Sequence, residues 1–182
     1  MSGHNKWSKI KHKKAATDAA RSKVFSKHSM LIAMESRQAN GDTSSPGLAA
    51  AIERAKKDSM PKDNIERAVA KGSGAGGAAL EEVMFEGYGP GGVALLIQAV
   101  TDNNNRTSAE VRAAFSKNGL EMGTPGSAAW AFQKNAEGDH IPTNPMELDD
   151  DTGEKLAGFI EKLEDLEDVT NVYSAADTPE EA

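Results

Sequence analysis

The chain has 182 residues, 38% of them hydrophobic and 27% charged, and contains no cysteine. That length suits one domain of average size or two small ones, and the missing thiols exclude disulfides, zinc-thiolate centres, iron-sulfur clusters and cysteine nucleophiles. The net charge of -7 hides a strong polarity, because residues 1–72 hold 15 Lys and Arg against 7 Asp and Glu (+8), while residues 73–182 hold 6 against 21 (-15).

Such asymmetry predicts a basic module that meets a polyanion, joined to an acidic body that does not. No run approaches the roughly 18 apolar residues of a membrane helix. The N-terminus offers charge where a secretory signal would offer an apolar core. A cytoplasmic protein is expected.

In chain order, a lysine-rich arm comes first. Ala16, Ala20, Val24, His28 and Leu31, with Phe25 and Ile32 beside them, then mark one face of a helix that should stop at the turn dipeptide Asn40-Gly41. Leu48, Ile52 and Ala55 mark a second helix after the Ser44 to Gly47 punctuation, ending at Pro61. A third runs from about Pro61 through Ile65, Ala68 and Val69 to Gly72, with Asp63 and Glu66 as a capping pair. Residues 1–72 are therefore expected to be a basic helical nucleic-acid-binding domain, and the glycine-rich 73–80 a flexible linker.

Beyond the linker the period shortens. Val83 to Tyr88 and Val93 to Val100 are apolar runs flanking Gly89, Pro90, Gly91 and Gly92, which predicts two strands and a tight turn. Thr107 and Glu110 have capping-box spacing, and Val111, Ala114 and Phe115 give the buried face of a helix closed by Gly119. Ala128, Trp130 and Phe132 alternate as a strand does, a weaker strand signal surrounds Ile141 to Leu148, and Leu156, Phe159, Ile160 and Leu163 keep helical spacing before a last strand at Val169 to Tyr173. The fold class expected is α+β, with an N-terminal three-helix domain followed by an acidic, ferredoxin-like split β-α-β domain over 81–174. The small, polar, acidic stretch 175–182 reads as a disordered tail.

The chemistry concentrates at the start of the chain. Lys6, Lys9, Lys11, Lys13 and Lys14 lie within nine residues, joined by Arg21, Lys23 and Lys27, with only Asp18 opposing them. Trp7 sits inside this run, where an indole can stack on a base while lysines hold phosphates, and His4 and His12 can add hydrogen bonds or stacking. The alternative is a solvated arm with Trp7 tucked against the helices.

His28, on an apolar face, reads as a packing residue. The Gly87, Gly89, Gly91, Gly92 cluster enters a strand instead of opening a helix, so it reads as a hairpin turn and not as a phosphate cradle. Asp149 to Asp151 lack the spacing of a calcium loop and precede a helix whose dipole favours negative charge. Asn103, Asn105 and Arg106 are polar enough for a secondary contact and equally suit a turn. No catalytic constellation or nucleotide fingerprint is present; no enzyme activity, cofactor, metal or small-molecule substrate is expected.

Several longer stretches resemble the YebC/PmpR family, which includes the mitochondrial translational activator of cytochrome oxidase: Gly3 to Lys14, Met60 to Ala68, Glu86 to Val93, Thr101 to Thr107, Phe115 to Gly119 and Leu163 to Leu166. The resemblance implies a helical N-terminal domain, α+β structure beyond it, no known catalysis and a regulatory role. Some members of the family are described as DNA-binding transcriptional regulators, others as ribosome-associated factors that relieve stalled translation. Family members usually carry a further α+β domain between the segments matching Trp130 to Gln133 and Asn144 to Asp149, where this chain has about ten residues.

Together the two lines predict a regulator of gene expression that binds ribosomal or other RNA, a translation factor relieving stalled translation, with a DNA-binding transcriptional regulator as the alternative and a protein-interaction adaptor as a third reading. A helix-turn-helix would need a tighter turn than Asn40 to Gly47 provides.

Overall fold

The computed structural model describes residues 18–74, 79–136 and 138–177. Three helices come first: α1 (Asp18–Gln38), α2 (Pro46–Lys57) and α3 (Lys62–Ser73). Ile32, Leu48, Ala51, Ala55, Met60, Ile65 and Ala68 form their shared core.

The turn after α1 is made by Asn40 and Gly41, both at positive φ, and the Gly41 N–H closes back on the Ser36 carbonyl at 2.8 Å. Val24, His28 and Leu31 are only partly buried, whereas Ile32, Ala33, Met34 and Ser36 are buried. Helix α1 touches α2 and α3 and also the strands of the following domain, so its burial is not confined to one stripe. The expected capping pair does not form. Pro61 is the N-cap of α3, which places Asp63 in the first turn and leaves Glu66 to face Lys62 at 3.6 Å.

Gly72, expected at the edge of a linker, belongs to α3 and lies against α1, where a Cβ would come within 2.2 Å of the Ala33 carbonyl oxygen. Of the linker itself, residues 75–78 are outside the described residues.

The second domain contains β1 (Glu81–Tyr88), β2 (Ala94–Thr101), α4 (Asn104–Lys117), β3 (Met122–Gly123), β4 (Phe132–Lys134), β5 (His140–Pro142), α5 (Asp150–Glu164) and β6 (Val169–Ser174). The α+β class holds. One sheet has the order β3-β1-β2-β6 with antiparallel neighbours, so β2 and β3 run parallel on either side of β1 with α4 bridging them, which is a split β-α-β unit. The glycine turn joins β1 to β2 as a hairpin, in register from Glu81↔Thr101 to Tyr88↔Ala94, with Gly91 and Gly92 at positive φ.

Sheet membership differs from the sequence expectation. The strands near Phe132 and Ile141 form their own two-stranded hairpin, β4–β5, while the second edge of the main sheet is the two-residue β3, too short to leave a pattern. Trp130 belongs to a 3-10 turn, Ala129–Ala131, and is 71% exposed. The cause is Glu86, whose carboxylate accepts the backbone N–H groups of Gly126, Ala128 and Ala129 and curls that segment before β4 begins.

Neighbouring residues on β1 point to opposite faces. Gly87 faces α4, close enough to the Phe115 ring that a Cβ would lie 2.5 Å from it, and Phe115 meets Phe159 of α5 edge-to-face at 5.0 Å. Glu86 faces the 126–131 segment on the other side. β2, covered on both faces, is buried nearly throughout.

The expected disordered tail is ordered through Asp177: Ala175 and Ala176 are buried, and the Met146 N–H donates to the Ala175 carbonyl at 2.8 Å. Residues 178–182 lie outside the described residues.

Candidate nucleic-acid interface

Of the predicted contact residues, Lys6, Trp7, Lys9, Lys11, His12, Lys13 and Lys14 lie outside the described residues. Arg21, Lys23 and Lys27 are on α1. Arg21 is exposed. Lys23 and Lys27, one turn apart on one helical face, both reach the end of α5: Lys23 Nζ lies 3.0 Å from Asp165 Oδ1, and Lys27 Nζ donates to the Glu164 carbonyl. The lysines thus meet a helix C-terminus, where unsatisfied carbonyls leave partial negative charge. A second bridge joins the domains between Arg54 Nη2 on α2 and Asp139 Oδ1 in the β4–β5 turn, at 3.1 Å.

The other predicted contacts divide. Helix α4 begins a turn earlier than the Thr107 capping box would place it, because Asn103 is the N-cap and its side chain accepts the Arg106 N–H at 3.1 Å. Asn105 is exposed in the first turn. Arg106 Nη2 lies 3.0 Å from Asp102 Oδ1 and 2.9 Å from Asp168 Oδ2. Its guanidinium is already neutralised by two carboxylates, which disfavours it as a phosphate contact.

Asp168 is 5% exposed and also accepts from Thr107 Oγ1 at 2.6 Å and Thr101 Oγ1 at 3.3 Å. Burial alone would raise its pKa, but the hydrogen bonds from Thr107, Arg106 and Thr101 and the arginine charge outweigh that and hold it below the ordinary carboxylate value. This cluster was missed in the sequence, since Thr101, Thr107 and Asp168 carry no shared spacing. Its charged members, Asp102, Arg106 and Asp168, line an open cleft of about 430 Å³ between the domains, which also takes in Ser26, Ser29 and Lys71.

Lys56, Lys57, Lys62, Arg67 and Lys71 add exposed positive charge on α2 and α3. They are scattered along the chain, so in the sequence only the net charge of the segment signals them. His28 behaves as a packing residue, partly buried with Nε2 2.6 Å from Asp58 Oδ2. Asp149 is the N-cap of α5, accepting the Thr152 N–H at 2.7 Å, as a helix start requires. Among the described residues no group of three His, Asp or Glu could hold a metal ion, and no helix is long and apolar enough to cross a membrane.

Comparison with known proteins covers the whole chain. The family described as TACO1/YebC protein N-terminal domain matches residues 5–75, and the one described as TACO1/YebC second and third domain matches 80–137 and 134–176, two stretches that meet in the β4–β5 turn. A probable transcriptional regulatory protein of Desulforapulum autotrophicum is 38% identical over 242 positions, covering 100% of this chain and 98% of the relative. About 60 of those 242 positions therefore have no counterpart in these 182 residues.

A protein of the same name from Desulfatibacillum aliphaticivorans is 45% identical over 183 positions, covering 100% of this chain and 72% of its own length. The crystal structure of the conserved hypothetical protein Aq1575 from Aquifex aeolicus superposes with a TM-score of 0.75 at 30% identity, covering 90% of this chain and 93% of that one.

Proposed function

Because the chain belongs to the TACO1/YebC family, we propose that it is a non-catalytic regulator of gene expression in the cytoplasm that binds RNA on or near the ribosome through its basic N-terminal domain. The observation that carries this reading is the division of charge, +8 over residues 1–72 against -15 over 73–182. A polyanion is drawn to the first and repelled by the second. The lysine run around Trp7 supplies phosphate contacts and a stacking surface without a base-reading constellation, a combination suited to structured RNA. Asn105, exposed at the α4 start, is the secondary contact that the geometry leaves open.

The test is sedimentation of the tagged protein with ribosomes at low and high salt. Co-sedimentation that is strong at low salt and lost at high salt is the expected result, since phosphate contacts release counterions on binding. The relatives' name, probable transcriptional regulatory protein, favours a second reading, a DNA-binding transcriptional regulator. Such a protein would leave the ribosome pellet empty and prefer one duplex over random DNA by roughly 10³ or more at physiological salt.

A further inference from the structure

The lysines that α1 offers to a polyanion are not idle when no polyanion is present. Lys23 holds the Asp165 carboxylate at 3.0 Å and Lys27 holds the neighbouring Glu164 carbonyl, so two cations one turn apart grip two successive acceptors. A single pair, Arg54 and Asp139, also joins α2 to the β4–β5 turn. In each case the cation comes from the basic domain and the acceptor from the acidic one.

We propose that the acidic domain is a built-in competitor for the phosphate-binding face of α1, so that RNA gains Lys23 and Lys27 only by displacing Asp165 and the end of α5. This inference rests on the RNA-binding reading above. The geometry allows the exchange: the Lys23 and Asp165 side chains are 56% and 47% exposed, so water and ions reach the pair and an incoming phosphate can replace the carboxylate without opening a dry interface. Internal competition of this kind admits polyanions with many phosphates in register and turns away short or sparse ones. It also flattens the salt dependence, because salt loosens the internal pairs while it weakens the RNA contacts.

The experiment titrates a fluorescein-labelled RNA hairpin with full-length wild type, Asp165→Asn, Asp139→Asn and the charge-matched control Glu121→Gln, which alters an exposed acid of the same domain. Asp165→Asn should bind roughly two- to fivefold tighter than Glu121→Gln at low salt, the range that an exposed ion pair supports. The advantage should shrink as salt rises and vanish in a Lys23→Ala background. Asp139→Asn should show a gain of the same order.

If Asp165→Asn and Glu121→Gln gave equal affinities, or if the gain survived Lys23→Ala, internal competition would be overturned while RNA binding stood. A wild type that ignored the hairpin, with all variants equally silent, would overturn the RNA-binding reading itself and this inference with it.

Discussion

Glu86 and Asp168 are acids that an acidic domain has drawn inside, at 7% and 5% exposure. Each is ionised by its partners. For Glu86, burial pushes the pKa up, but three backbone N–H donors outweigh it and hold the carboxyl below its ordinary value of 4.5; Asp168 likewise stays below 3.8. A carboxylate with a lowered folded pKa contributes stability that is fully present above its unfolded pKa and is lost as pH falls through the folded one. Urea unfolding followed downward from about pH 6 should therefore show wild-type stability declining below about pH 4.5, with a shallower decline in Glu86→Gln.

At neutral pH, Glu86→Ala should cost about 2 to 3 kcal/mol, because the Gly126, Ala128 and Ala129 N–H groups lose their acceptor. Arg106→Ala should lower the melting temperature, by leaving the buried Asp168 without its counter-charge. Its affinity for RNA should stay within roughly twofold of wild type. Melting and an RNA titration on the same variant separate the two effects, and a large affinity loss with an unchanged melt would restore Arg106 to the interface.

At the scale of helices and strands, close approach explains residues that propensity misjudges. Alanine normally stabilises a helix interior by about 1 kcal/mol over glycine. At Gly72 the sign should reverse: the added Cβ would meet the Ala33 carbonyl at 2.2 Å and pry α3 from α1. A drop in melting temperature for Gly72→Ala, instead of a rise, is the expected outcome.

What the sequence reveals at this scale is whatever repeats. The helices and the β1–β2 hairpin are legible because apolar residues recur over eight or more positions or flank a diagnostic turn, and β6 because Val169 to Tyr173 follows a clear helix pattern as a short apolar run. The two-residue β3 is not, and neither is the turn carrying Trp130, because its shape is set by a carboxylate more than forty residues away. The Asn103 cap lost to the Thr107 capping box for a related reason. Both fit the local rule, and only the distant Asp168 decides that Thr107 turns inward. The basic arm was legible by charge alone, whereas the engagement of Lys23 and Lys27 depends on where α5 ends in space.

The whole molecule is a pair of oppositely charged bodies, and its salt response should report how many lysines touch phosphate. Replacing Lys9, Lys11, Lys13 and Lys14 by alanine should lower the slope of log affinity against log salt by about 3, if each holds one phosphate. An unchanged slope would place the binding elsewhere, with α2 and α3 the next basic surface to test. Trp7→Ala should weaken RNA binding by about 1 to 3 kcal/mol with little change in melting if the indole stacks on a base. A loss of about 3 kcal/mol or more in stability, with affinity intact, would instead mean an indole packed on the helices.

The β4–β5 hairpin has one more consequence. Its strands pair from Phe132↔Pro142 to Lys134↔His140, so the chain leaves and re-enters the fold one strand spacing apart, about 4.8 Å. The stretches matched to the second and third domain meet at this point. A segment whose own ends lie side by side can be gained or lost here as a cassette, since loop-closure entropy grows only slowly with length and no strand of the main sheet has to change register. The cost of gaining one falls on Asp139, which lies in the turn and bridges to Arg54. A longer insert at this port would trade that tether between the two bodies for whatever the cassette brings, so chain length and the freedom of the helical domain are coupled at a single turn.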